Sequence, residues 1–321
     1  PIIAKEPPAP IDELPPDQKP EGDNVQWLPG YWGYDEDRKD YVWVSGFWRV
    51  APPGRTWVPG SWRKANDGWQ WSGGFWNAIR EQKTEVEYLP KPPAPLDIEG
   101  ANTPAPSADH IYVPGSWVYR EKYMWRPGYW REHSPNWVWT SAHYRWTPSG
   151  YVYIEGYWDY PLANRGILFA PAYIPAEVYS APAYVYTPTA IVREEALYGA
   201  FFTRRGCGNY YFGDYFARNY AEVGFVAWSG HVSATVRLGG YCDPLFSYYS
   251  CGHRADPFWN GGVSNLYVGR YRGDYLRPPT TLVQQNTVVN NITNYDNRTI
   301  IRDNSTNINT TNTDNSTNIT R

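Results

Sequence analysis

The chain has 321 residues, a net charge of −3 and 18% aromatic residues, with 30 prolines, 28 glycines and one methionine. Lys and Arg are scattered without a basic face, which argues against nucleic-acid binding, and no apolar run approaches the roughly 20 residues of a membrane helix. Three cysteines are too few for a disulfide scaffold. Leu, Ile and Met are scarce, so the core must be built from Trp, Tyr, Val and Pro; each buried aromatic removes roughly 150–250 Å² from water. The chain begins at Pro1 without an initiating methionine, which reads as a processed form or a fragment.

Residues 1–24 hold Pro7-Pro8, Pro10, Pro15-Pro16 and Pro20 among acidic residues. They read as an extended arm, either a flexible leader or a segment lying along a neighbouring subunit.

Residues 25–80 repeat one unit four times: aromatic, two residues, Gly, one residue, aromatic. The units are Trp27…Gly30…Trp32, Trp43…Gly46…Trp48, Trp57…Gly60…Trp62 and Trp71…Gly74…Trp76. A spacing of about fourteen residues suits one strand and one tight turn. Asn66-Asp67-Gly68 and Pro52-Pro53-Gly54 supply turn chemistry, so the set reads as a four-stranded antiparallel meander. Residues five apart in a regular strand point to opposite faces. A β-bulge at Pro-Gly would bring both aromatics of a unit to one face, with glycine leaving room for a neighbouring indole. The acidic turn 35–40 lacks the Asp-x-Asp-x-Asp-Gly pattern of a calcium loop.

Residues 81–110 are charged and then proline-rich, and read as a semi-rigid linker. Residues 111–160 carry the second set of four: Tyr112…Gly115…Trp117, Trp125…Gly128…Trp130, the degenerate Trp139…Ala142…Tyr144, and Tyr153…Gly156…Trp158. His143 reads as a stacked substitute for an aromatic, since no partner nucleophile or carboxylate can be assigned to it.

Residues 161–279 read as an aromatic β-rich module. Its prolines point to edge strands or strands with frequent bulges, and Asp243-Pro244 and Asp256-Pro257 announce two short helices near 243–251 and 256–270, each an acidic N-cap ahead of an N1 proline. Cys242 and Cys251 form a possible disulfide with Cys207 left over; zinc on these cysteines and His253 is disfavoured by the spacing. Residues 280–321 are an Asn/Thr-rich tail that cannot bury enough surface to fold alone. Its β-branched residues, among them Val288, Ile292, Ile300 and Ile308, favour strand association between copies.

The Trp-x-x-Gly-x-Trp unit resembles the WxxGxW (YXWGXW) repeat family of exported bacterial proteins. The phrases Pro15-Pro16-Asp17-Gln18-Lys19-Pro20, Asp159-Tyr160-Pro161-Leu162-Ala163, Tyr211-Phe212-Gly213-Asp214-Tyr215 and Pro278-Pro279-Thr280-Thr281-Leu282-Val283-Gln284-Gln285 are similar to planctomycete-type members. The resemblance spans nearly the whole chain. It implies export to the periplasm, cell surface or exterior, and no established activity.

The expectation is a mainly β protein: two four-stranded meanders, a β-rich module with two short helices, and a β-prone tail. As to function, it points to a structural, self-associating fibre or coat subunit assembled through arm and tail, its partner being itself. The alternative is a surface module that binds envelope polysaccharide through Trp43, Trp57 and Trp71. No catalytic motif, cofactor or metal is expected.

Overall fold

The computed structural model describes residues 2–35, 38–79, 86–96, 104–192, 197–204, 210–237 and 243–278. It is mainly β, built of several small antiparallel sheets, as the repeats predict. Within that class the eight aromatic units join in twos, as four hairpins, rather than in two runs of four. In hairpin I, Val25–Leu28 pairs with Phe47–Val50 and Tyr31–Asp35 with Asp40–Val44. Hairpin II pairs Arg55–Val58 with Phe75–Ala78 and Ser61–Ala65 with Gly68–Ser72. Hairpin III pairs His110–Val113 with Tyr129–Glu132 and Ser116–Arg120 with Lys122–Arg126. Hairpin IV pairs Val138–Thr140 with Tyr157–Asp159 and His143–Thr147 with Gly150–Ile154.

The connectors explain the pairing. Asn66-Asp67 and Pro148-Ser149 are two-residue loops that return the chain directly onto the preceding strand. Between hairpins I and II the connector is Pro52-Pro53, whose residues have no N–H to donate to a ladder.

The predicted bulge is absent. Trp27 faces Trp48 and Trp32 faces Trp43, so the register is the same on either side of Pro29-Gly30 and no extra residue is inserted. The other three hairpins keep their register likewise. Both strands carry the same interruption at the same height, so the ladder opens symmetrically for two residues instead of kinking on one side.

The aromatics meet across these ladders. The eight pairs formed by the units' own aromatics, from Trp27–Trp48 to Tyr144–Tyr153, have ring centroids 5.1–5.6 Å apart in edge-on or tilted geometry. Such pairs contribute about 0.5–1.5 kcal/mol each beyond the area they bury. The glycines sit beneath them. A Cβ on Gly46 would meet the Trp27 ring, one on Gly60 the Trp71 ring, one on Gly115 the Trp125 ring and one on Gly156 the Trp139 ring. The sequence expectation that glycine makes room for an indole is met.

The N-terminal arm does not reach outward. Ile2–Ile3 pairs with Gly68–Ser72 of hairpin II, and Asp12–Glu13 runs parallel to Val185–Tyr186. Residues 86–96, expected to be a linker, lie on hairpins III and IV instead. Leu89 is buried and bridges to Tyr151. Gly166–Phe169 and Ile191–Val192 extend hairpin I into a four-stranded sheet, with Ile191–Val192, shortly after Pro188, at its edge.

The C-terminal part packs Phe201–Arg204, Tyr210–Phe212 and Phe225–Ala227 as a three-stranded sheet against two helices, Pro244–Gly252 and Pro257–Arg272. Both helices start as predicted: Asp243 accepts from Leu245 N–H and Asp256 from Phe258 N–H. The second continues through Gly261-Gly262 for 16 residues and ends on Gly273 at φ 85°. Trp228, Trp259, Phe202, Leu245, Val263 and Tyr267 form its core, and Arg270 is buried with its guanidinium donating to Gly199 O and Leu276 O. Among the described residues, short helical turns at Leu162–Arg165, Ala176–Tyr179 and Arg218–Glu222 were not anticipated.

Candidate functional site

Two proline-rich straps lie on two equivalent grooves. The first carries Pro7-Pro8-Ala9-Pro10 and the second Pro92-Pro93-Ala94-Pro95, and proline holds both extended. In the first groove the Tyr41 hydroxyl donates to Lys5 O (2.6 Å) and the Trp32 indole N–H to Ala9 O (2.8 Å). In the second, the Tyr123 hydroxyl donates to Pro90 O (2.5 Å) and the Trp117 N–H to Ala94 O (2.9 Å). In both grooves the two acceptors are four residues apart along the strap. The donors are the second aromatic of an odd-numbered unit and the Tyr two residues ahead of the following unit.

The neighbouring hairpin locks each groove in the same way. The Trp62 indole donates to Trp32 O (2.7 Å), and the Tyr144 hydroxyl to Trp117 O (3.1 Å). Each strap also crosses a hairpin turn at a glycine with positive φ. Gly68 (φ +148°) lies against Ile3 O, and Gly150 (φ +136°) against Leu89 O. A side chain at either position would collide with the strap as well as strain the turn. Strap and hairpin pair therefore form one module, and the chain contains two.

The first strap ends in a carboxylate cage. Where the ladder of hairpin I opens, Gly30 N–H donates to Glu13 Oε2 (3.0 Å), Gly46 N–H reaches both carboxylate oxygens (3.0 Å each), and Trp43 Nε1–H donates to Oε1 (2.9 Å). The two-residue gap frees these amides from the ladder, and the carboxylate replaces the missing partner strand. Burial raises the Glu13 pKa against the opposing pull of the Trp43, Gly46 and Gly30 donors.

A buried ion cluster joins the modules. Asp159 accepts from Arg49 (2.6 Å) and lies 3.4 Å from Arg165. Burial would raise the Asp159 pKa, yet the two guanidiniums hold it below the usual carboxylate range. His143 is buried with Nδ1 2.9 Å from Ser141 O; burial first, then the guanidiniums of Arg145 and Arg55, push its pKa down to about 4. The ring is packed in the protein interior.

An open cleft of about 2120 Å³ runs between the modules and the C-terminal part, walled in part by Trp57, Trp71, Trp125, Trp139 and Trp146. Trp57 and Trp71, two of the three predicted sugar-stacking indoles, reach it. Trp43 does not, being 1% exposed in the core of hairpin I. None of the 18 tryptophans is exposed. Gly30, Gly60, Gly74 and Gly115 line the cleft floor, whereas Trp48, Trp76, Tyr112, Trp130, Tyr153 and Trp158 serve as pairing partners within hairpins.

Cys251 is half-buried and free; Cys242, its expected disulfide partner, and Cys207 lie outside the described residues. The association residues Val288, Ile292, Ile300 and Ile308 also lie outside them. Among the described residues no three His, Cys, Asp or Glu side chains converge as metal ligands, and no helix is long and apolar enough to cross a membrane.

Sequence reading missed the groove donors Tyr41 and Tyr123, the cage residue Glu13 and the clamp Arg49–Asp159–Arg165. The groove had a legible signal: Pro-Pro-Ala-Pro occurs twice, each time ahead of a pair of units whose second has Tyr two residues before its Trp. The clamp had none, since 110 residues separate Arg49 from Asp159. No family model, curated protein or solved structure matches the chain.

Proposed function

We propose that the protein is a structural, self-associating component of the cell exterior, a fibre or coat subunit rather than an enzyme. The observation that carries this reading is the use made of the indoles. All 18 tryptophans are at least partly buried, and the eight pairs formed by the units' own aromatics lock the hairpins. Large aromatics at repeated positions build stiffness into thin sheets that have little thickness of core. The duplicated strap-and-hairpin module is the kind of unit that arrays use. The Asn/Thr composition of 280–321 supports association between copies, as stacked Asn side chains stabilise strands from different chains. The resemblance to the WxxGxW (YXWGXW) repeat family supports export to the surface or periplasm.

The test is sedimentation velocity with electron microscopy on the chain with and without residues 280–321. The expected result is large, regular assemblies from the full chain and a small folded particle from the shortened one. A full chain that stays monomeric at high concentration sinks the reading.

A second reading has one observation in its favour: half-buried Trp57 and Trp71 on the cleft wall can present ring faces to a sugar, with envelope polysaccharide as the ligand. Tryptophan emission that does not change across a panel of glycans removes it.

A further inference from the structure

The grooves of the two modules have the chemistry of a peptide-recognition site. A proline-rich strand has fixed φ and fewer N–H groups, so it offers its carbonyls at little conformational cost. Aromatic grooves that donate to those carbonyls are a recurring way to bind it. Here a Tyr hydroxyl and an indole N–H do so four residues apart, twice, the indole at the Ala of a Pro-Pro-Ala-Pro tetrapeptide and the hydroxyl two residues ahead of it. In the first module the glycine amides and Trp43 add a carboxylate socket four residues beyond the second anchor.

We propose that each module is a binding site for a proline-rich segment, acid-ended in the first module, and that its occupant in the assembled protein is the corresponding strap of a second copy. The chemistry of the groove stands alone; the choice of occupant rests on the self-association reading above. That choice is argued from the chain itself, which carries the ligand sequence twice and two grooves built for it, so the strap of one copy satisfies the groove of another. The first strap is held by side-chain donors, two short strand pairings and the Glu13 carboxylate rather than by a long ladder. It can therefore exchange without unfolding the hairpins beneath it. Exchange that passes from copy to copy without closing produces a filament.

The probe is a fluorescent peptide of residues 2–16, titrated by anisotropy into the full chain and into the full-length Glu13→Ala variant, whose own strap is weakened. The peptide should bind the variant at least tenfold more tightly than the wild-type chain. Adding Trp32→Phe and Tyr41→Phe to that variant should reverse most of the gain, and a peptide with Gln at the Glu13 position should bind several-fold more weakly. A folded variant that prefers the peptide no more than a scrambled one overturns the proposal. Should Glu13→Ala fail to fold, native mass spectrometry of the wild-type chain after long incubation with excess peptide decides instead, and an absence of peptide-bound chain counts against it. Peptide that binds but does not dissociate assemblies of the full chain overturns the second-copy occupant. Peptide that binds to a chain which never assembles leaves the groove chemistry intact and sinks the self-association reading.

Discussion

Hairpins I and II with their strap, and hairpins III and IV with theirs, solve the same problem with partly different residues. Ala9 and Trp32 of the first correspond to Ala94 and Trp117 of the second, and the hydrogen bond between them is the same to within 0.1 Å. What both copies keep is therefore what the architecture needs: aromatic pairs across an opened ladder, glycine beneath an indole, and side-chain donors to strap carbonyls. What they do not share reveals other duties. Asn77 follows Trp76 and accepts from Ala78 N–H; Asp159, at the equivalent place, accepts from Tyr160 N–H but also anchors two arginines. The second module thus carries a charge that the first does not need.

Removing that charge has the largest expected effect. Asp159→Asn keeps the local backbone contact, as Asn77 does, but leaves Arg49 and Arg165 buried without a counter-charge. Loss of one partner from a buried ion cluster costs about 3–5 kcal/mol, read as a fall in the urea midpoint. Asn77→Asp in the first module, at a half-buried position, should cost far less. A comparable loss at both positions would mean that the cluster does not stabilise the junction.

His143 supplies a pH-dependent version of the same comparison, since the equivalent position in the first module is Ser61. Its folded pKa of about 4 lies below the unfolded value of about 6.5. The unfolded chain therefore binds the proton first, and stability present at neutral pH is lost as pH falls from about 6.5 to 4. The full shift corresponds to roughly 3 kcal/mol. Asp159, with its depressed pKa, adds acid sensitivity at lower pH. His143→Phe should reduce the fall of the denaturation midpoint between pH 6.5 and 4, to which His133 and His231, their pKa values also lowered by burial, contribute, and leave the lower limb in place.

Much of this was legible in the sequence. The aromatic–Gly–aromatic period marked where the strands lie, although each unit is divided at its glycine into two strand segments where one was expected, and the Asp-Pro steps gave both helices. The pairing in twos and the symmetric opening were not legible, because hairpin partnership depends on which connector can close tightly, and Pro52-Pro53 resembled a turn as much as Asn66-Asp67 did. The straps were hidden by composition: proline-rich segments look like linkers unless the donors that fix them, Tyr41 and Trp32 or Tyr123 and Trp117, are known to converge. The clamp is a product of tertiary distance alone.

Glycine substitution probes what the modules share. A Cβ on Gly60 would sit 2.5 Å from the Trp71 ring and 2.7 Å from Ser72 O. Gly60→Ala should cost about 1–3 kcal/mol, as overpacking does. In the second module nature has already placed Ala142 at a unit's glycine position, opposite a smaller Tyr153 partner, so Ala142→Gly should change stability by well under that. Gly252, in the last turn of its helix with open space around it, should instead gain up to about 1 kcal/mol as alanine.

The smallest expected effects are the most informative about the straps. Trp117→Phe keeps a ring near Trp125 but removes the donor to Ala94 O, and Trp32→Phe does the same to Ala9 O. A single neutral hydrogen bond contributes about 0.5–1.5 kcal/mol, so both variants remain folded at room temperature. The modules should then diverge in local exposure. The first strap is additionally held by Glu13 in its cage and by the Ile2–Ile3 pairing, so Trp32→Phe should leave the amides of 2–14 nearly as protected from hydrogen exchange as before. The second strap has fewer anchors among the described residues, chiefly Tyr123 and the Leu89–Tyr151 bridge. Trp117→Phe should therefore raise exchange at Leu89 and its neighbours severalfold. Equal protection in both variants would show that the indole donors do not hold the straps, and that proline stiffness and shape alone keep them in their grooves.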